Sequence, residues 1–186
     1  GGAVVEDVFP GVKQPCALIG IAEKGMMNLE YSVSSAGGHA SAPKPHTPVG
    51  VLADACCKVE NHPFPMHITA PAAKMFDTLG RHSTFLYANL WLFGGVLDNL
   101  CKKQGGELNA LMRTTVAFTQ MQGSKASNVI PPSASMVSNM RLNPADTMDS
   151  AMEYIRGVIG NDAVKLRCVE GMNPSPISET DCPAWD

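Results

Sequence analysis

Two β-rich runs follow one another across a single loop: RTTVAFTQM at residues 113–121 and SASMVSNMRL at 133–142. The first is dense in β-branched residues and the second alternates, as pleated strands do. The loop between them, QGSKASNVIPP, turns the chain. On either side lie a helix and a further strand. Upstream, MNLEYSVS at 27–34 reads as a strand with Leu29, Tyr31 and Val33 on one face. Thr47-Pro48 then opens a helix, with Thr47 as N-cap and an apolar stripe of Val51, Leu52, Ala55, Cys56 and Val59. Downstream, Asn143-Pro144-Ala145-Asp146 is a turn, with Asp146 as N-cap of a helix through about Ile159 that Gly160-Asn161 stops. Met148, Ala151, Met152, Ile155, Val158 and Ile159 form its apolar face, and AVKLRCV at 163–169 is the last strand. The order β-α-β-β-α-β predicts an α+β, ferredoxin-like sandwich: a four-stranded antiparallel sheet with both helices on one face. The other face must be covered, or an edge must pair with another chain.

Residues 62–112 interrupt this order. HPFPMHITAP at 62–71 is proline-rich and should be extended. Beyond it, Phe76, Phe85, Tyr87, Trp91 and Phe93 fall in short helical pieces near 71–80, 83–89, 92–104 and 107–111. The block reads as a helical insertion whose aromatic and leucine stripe suits a core or an interface. CALIGIA at 16–22 reads as a buried strand broken by Glu23-Lys24-Gly25, and NPSPISETDCPAWD at 173–186 reads as loop. A chain of 186 residues can bury one good core.

A formal net charge of -3 argues against a general nucleic-acid binder, which needs a basic surface. No run of about 18 apolar residues predicts a membrane span. The opening GGAVVEDVFPG lacks the pattern of a signal peptide and lacks Met, so the chain is expected to be an excised piece. The six cysteines make no CxxC and read as free buried thiols; of Cys56 and Cys57, adjacent on a helix, one is expected in the core and one outside it. The histidines His39, His46, His62, His67 and His82 make no HxH or HxxxH, so no self-contained metal site is expected. There is no GxSxG elbow and no phosphate loop, and Ser41 and Ser124 have no obvious base partner. Taken alone, the chain does not read as a complete enzyme.

Three polar residues stand out by placement. His39 follows two glycines just after a strand, Asn128 sits between two strands, and Arg141 ends the second of them. Loops at strand ends are common places for substrate contacts. An imidazole can donate to a developing oxyanion, and Asn and Arg suit carboxylate recognition.

The runs Gly37-Gly38-His39-Ala40-Ser41-Ala42-Pro43, Ser127-Asn128-Val129-Ile130-Pro131-Pro132 and Met140-Arg141-Leu142-Asn143-Pro144 resemble the lid, or dimerisation, domain of a zinc amidohydrolase and peptidase family. That family holds aminoacylase, carboxypeptidase G, acetylornithine deacetylase and succinyl-diaminopimelate desuccinylase. GGAV, ALIGIAEKG, the long insertion and NVIPP look most like its carboxypeptidase S and N-fatty-acyl-amino-acid hydrolase branch. The resemblance implies that residues 24–171 are the lid, with the insertion at 62–112. Residues 1–23 and 172–186 would then be remnants of a catalytic domain. It implies no metal in this piece and two zinc ions, or cobalt, in a full-length enzyme that hydrolyses amide bonds of peptides or N-acyl amino acids. The piece alone would be inactive. His39 would reach the partner subunit's active site to stabilise the tetrahedral intermediate, while Asn128 and Arg141 hold the substrate, chiefly its carboxylate. The homodimer would form through residues 48–60 and 113–122, and the insertion would either cap that edge or shape the substrate channel. The compartment stays open: cytoplasmic for bacterial relatives, vacuolar or secreted for the eukaryotic branch. A ferredoxin-like pairing or ligand-binding module without catalysis is the alternative, and it has no need to bring His39, Asn128 and Arg141 near one ligand.

Overall fold

The computed structural model describes residues 1–6, 12–83, 98–99, 102–103 and 106–180. In chain order the elements are β1 (Gly2–Val5), β2 (Cys16–Ile19), β3 (Gly25–Ser34), β4 (Gly38–His39), α1 (Pro48–Asn61), α2 (Ala70–Arg81), α3 (Gly106–Met112), β5 (Thr115–Gln122), β6 (Val129–Ile130), β7 (Ser133–Leu142), α4 (Met148–Ile159) and β8 (Lys165–Met172). Four of the strands make an antiparallel sheet in the order β5-β7-β3-β8. Numbered among themselves they run 2-3-1-4, and α1 and α4 cover one face. This is the ferredoxin-like sandwich that the sequence predicts.

Period-two burial sets the register. Met27, Leu29, Tyr31 and Val33 of β3 are buried while Met26, Asn28, Glu30 and Ser32 between them are not, and β7 repeats the pattern. A slip of one residue would turn every apolar side chain outward. Leu52, Ala55 and Val59 of α1 and Ala151, Ile155 and Ile159 of α4 close the core. Ser138 lies buried in it with its hydroxyl 3.0 Å from that of Tyr31, so both keep a partner, and burial pushes the Tyr31 phenol up to about 12. The opposite face is polar: Arg167 pairs with Glu30, Asn139 donates to Asn28, and Asn28 donates to Glu170.

Several local expectations need correction. Thr47 and Pro48 open α1 as expected, but the Thr47 hydroxyl makes no capping bond. The N-cap of α4 is Thr147, not Asp146: Thr147 accepts from the Ser150 N–H, and the Ser150 hydroxyl accepts from the Thr147 N–H. Asp146 is engaged elsewhere, accepting from the Thr114 hydroxyl at 2.5 Å. Gly160 ends α4 at φ 56°. CALIGIA is not a buried strand. It shortens to Cys16–Ile19, pairs among the described residues with β1 alone, and leaves Ile19 63% exposed, because a lone two-stranded ribbon cannot enclose a face. Cys16, Cys56 and Cys168 are free and half-buried and Cys57 is exposed, so these thiols are less buried than expected. Cys56 packs on the core and Cys57 does not, as their adjacency requires. Cys101 and Cys182 lie outside the described residues. So do Phe85, Tyr87, Trp91 and Phe93 and most of the helical pieces expected at 83–104. The pieces at 71–80 and 107–111 are seen as α2 and α3.

Both ends of the insertion are fastened where β7 finishes. Arg113, 1% exposed, donates to the Phe64 carbonyl and to Asn109 and pairs with Asp98. A buried guanidinium is costly unless its donors are met, and here backbone and carboxylate meet them. Lys102 and Arg113 hold the Asp98 carboxyl below the usual carboxylate range. Asn143, fully buried, donates to the carbonyls of His67 and Leu111 and accepts from the Ala145 N–H. Its own N–H goes to the Thr114 hydroxyl.

The chain enters and leaves the sheet side by side. The Glu23 N–H donates to the Ser175 hydroxyl at 2.9 Å, and the Ser175 N–H returns to the Glu23 carbonyl at 3.0 Å. Gly25 permits this approach: a Cβ there would stand 2.8 Å from the Met172 carbonyl and from Pro174.

Candidate functional site

The two loops that carry His39 and Asn128 are joined by a ribbon that local periodicity does not announce. Gly38 pairs with Ile130 and His39 with Val129, and the Ala40 N–H donates to the Asn128 carbonyl at 2.9 Å. Gly37 makes the approach possible. Its φ is 67°, and a Cβ would stand 3.1 Å from the Ile130 carbonyl oxygen. Both runs expected to be plain loops therefore contain a short strand. His39 and Asn128 are exposed at the same end of the sheet, beyond Ser34 and Ser133.

Ser41, expected to lack a base partner, has one. Its hydroxyl lies 2.8 Å from His39 Nδ1, and its backbone N–H donates to the same nitrogen at 3.2 Å. The Asn128 side chain has no hydrogen-bond partner among the described residues.

Arg141 lies at the other end. It is exposed on the polar face of β7, opposite Met26 on β3 and Thr115 on β5. Eight residues of strand separate it from Ser133, so roughly 25 Å divides it from the His39 ribbon. Lys24 stands near it, donating to the carbonyls of Ala110 and Arg113 at the end of α3. Burial lowers the Lys24 ammonium to about 8; Asp146 raises it and Arg141 lowers it further. Within one chain, then, the fold brings His39 and Asn128 together and keeps Arg141 apart.

A cleft of about 310 Å³ opens between the end of α1, the strap after it and the start of β5, with Val59, His62, Pro63 and Val116 on its walls. None of the three candidates lines it. Among the described residues no three His, Cys, Asp or Glu side chains gather into a metal site, and no helix is long and apolar enough to cross a membrane.

A model of the peptidase dimerisation domain matches residues 21–167. The chain belongs to that family. It is 36% identical over 186 residues to the N-fatty-acyl-amino acid synthase/hydrolase PM20D1 of Xenopus tropicalis, covering 97% of this chain and 36% of that protein. It is 36% identical over 178 residues to the probable carboxypeptidase S-like 2 of Dictyostelium discoideum, covering 93% and 34%. The chain thus spans about a third of the length of these curated relatives. Among solved structures, the dipeptidase Dug1p of Saccharomyces cerevisiae superposes with a TM-score of 0.58 at 10% identity, covering 95% of this chain and 41% of that one. The M20 family metallo-carboxypeptidase Sso-CP2 of Sulfolobus solfataricus gives 0.54 at 14%, covering 89% and 41%. At such identity these two share the fold. The relatives are hydrolases, and this domain is one part of such enzymes. Full-length metallopeptidases of the family use a metal. The dimerisation domain is a part through which such chains assemble.

Proposed function

We propose that this domain is the lid of a zinc-dependent hydrolase of peptides or N-acyl amino acids, and that two subunits complete each active site. Residues 24–171 act as the lid. Residues 1–23 and 172–186 belong with the catalytic domain that carries the two zinc ions, or cobalt. The metal supplies the activated water when it is bound there. His39 donates a hydrogen bond to the oxyanion of the tetrahedral intermediate, and Asn128 and Arg141 hold the substrate carboxylate.

The direction of β5 carries this reading. It is an edge strand whose outer side pairs with nothing among the described residues. It starts opposite Arg141 and ends opposite Ser135, at the His39 and Asn128 end. Two β5 edges paired antiparallel about a twofold axis set the start of one against the end of the other. Arg141 of one subunit then shares an end of the joined sheet with the partner's His39 and Asn128. Three strand spacings, roughly 14 Å, separate β7 of one subunit from the partner's β7, at whose start the β4–β6 ribbon stands, in place of the roughly 25 Å within one chain. An arginine, an imidazole and an amino acid between them can span that gap. The edge is also apolar enough to be covered: Val49 and Met121 are exposed, and a Cβ on Gly123 would touch Val49 at 2.9 Å, so α1 borders the same edge.

Mixed dimers test this. In the full-length enzyme, His39→Ala and Arg141→Ala should each lose on the order of a hundredfold in turnover of an N-acyl amino acid. Co-expressed, they should regain about a quarter of wild-type activity, because half the dimers are mixed and each holds one intact site. No recovery, or a full-length protein that stays monomeric in light scattering, overturns the shared site. Full activity in His39→Ala moves the non-catalytic pairing module ahead.

A further inference from the structure

We propose that Ser41 is a positioning residue that sets the tautomer of the His39 ring, with the proton on Nε2. The catalytic meaning rests on the reading of His39 given above; the geometry does not. A backbone N–H can only donate, and the Ser41 N–H lies 3.2 Å from His39 Nδ1, so that nitrogen presents its lone pair. The Ser41 hydroxyl lies 2.8 Å from the same atom and is free to donate to it. An Nδ1 that accepts from the Ser41 N–H carries no proton, and a neutral ring has one, so it sits on Nε2.

Backbone and ring are thus held by separate devices. The pairing of His39 with Val129 and the Ala40 N–H bond to Asn128 fix the main chain. Ser41 fixes the ring, two residues on. Nε2 has no partner among the described residues, and His39 is exposed, so its N–H faces outward on the side that Ser41 leaves open. The ring is therefore held to donate from Nε2, which suits an oxyanion donor. Ser41 is not a nucleophile in this arrangement: among the described residues no carboxylate orients the far side of the ring, as a hydrolytic triad requires.

The test has a spectroscopic arm and a kinetic arm. This chain, labelled with ¹⁵N-histidine, is examined by long-range ¹H–¹⁵N correlation, with His39→Gln identifying the signal. Ser41→Ala and Ser41→Thr are compared in the same spectra and, in the full-length enzyme, by kcat and KM. The expected results are a neutral Nε2–H form in the wild type, a mixture of forms in Ser41→Ala, and restoration in Ser41→Thr. Turnover in Ser41→Ala should fall about tenfold with KM unchanged and return in Ser41→Thr. A proton on Nδ1 in the wild type, a spectrum unmoved in Ser41→Ala, or covalent labelling of Ser41 by a fluorophosphonate overturns the proposal. If His39→Ala keeps full turnover while the spectra behave as expected, the catalytic reading of His39 falls and the Ser41 assignment stands.

Discussion

Replacing Asn143 by Ala should loosen the insertion from the sheet, by an amount that follows from three hydrogen bonds. The side chain is fully buried. Its bond from the Ala145 N–H is 3.0 Å, an ordinary length that contributes about 1 kcal/mol. Its bonds to the His67 and Leu111 carbonyls are both 3.4 Å, shared from one amide nitrogen, and contribute about 0.5 kcal/mol each. The Ala145 N–H left without an acceptor adds about 1 kcal/mol more, for a loss of about 3 kcal/mol. Urea unfolding followed by far-UV circular dichroism measures it. With a slope of about 2–3 kcal/mol/M, the midpoint should drop by about 1 M and the slope should not change. Asn143→Asp sharpens the test. It keeps the acceptor for Ala145 but turns a carboxylate oxygen toward two carbonyl oxygens, so at neutral pH it should cost more than Ala. That carboxyl is raised in the folded state, so the Asp variant should recover stability as pH falls through its folded value. A loss below 1 kcal/mol in the Ala variant, or an Asp variant more stable than Ala at neutral pH, would refute the assignment of Asn143 as the fastening residue.

Two further outcomes follow from the helix ends and from Lys24. Thr147→Ala should cost about 1 kcal/mol in urea unfolding and Thr47→Ala close to nothing, because the Thr147 hydroxyl accepts a capping bond and the Thr47 hydroxyl does not; equal losses would contradict this. Lys24 has a folded value of about 8, below its ordinary 10.5, so between those values the unfolded chain holds more protons and stability should rise with pH. Below about 8 both states are protonated and this contribution is flat. The difference in urea midpoint between wild type and Lys24→Met, followed across that window, isolates it; a difference that does not change with pH would count against the burial of Lys24.

What the sequence made legible was periodicity. Leu29, Tyr31 and Val33 recur every second residue and fall in the core as expected; of the α4 stripe at helical spacing, Ala151, Ile155 and Ile159 fall in the core while Met148, Met152 and Val158 pack against it half-buried. Elements with no room for a period were invisible. β4 and β6 have two residues each, and only their meeting shows why Gly37 is a glycine. Buried polar residues were invisible for another reason: Arg113 and Asn143 look like surface residues until distant carbonyls satisfy them. The choice of Thr147 over Asp146 as N-cap was likewise decided from afar, by the Thr114 hydroxyl that engages Asp146. Motif resemblance singled out His39, Asn128 and Arg141, but it carries no direction, so it could not reveal that Arg141 stands at the opposite end of the sheet from the other two.

The reciprocal bonds of Glu23 and Ser175 have a mechanical consequence. A force applied across those two points would open the pair one bond at a time, like a zipper, without loading the rest of the sheet in shear. The same closeness makes everything between them a cassette: a host chain needs only two neighbouring strand ends to accept it, and a short turn would suffice to heal the scar of its removal.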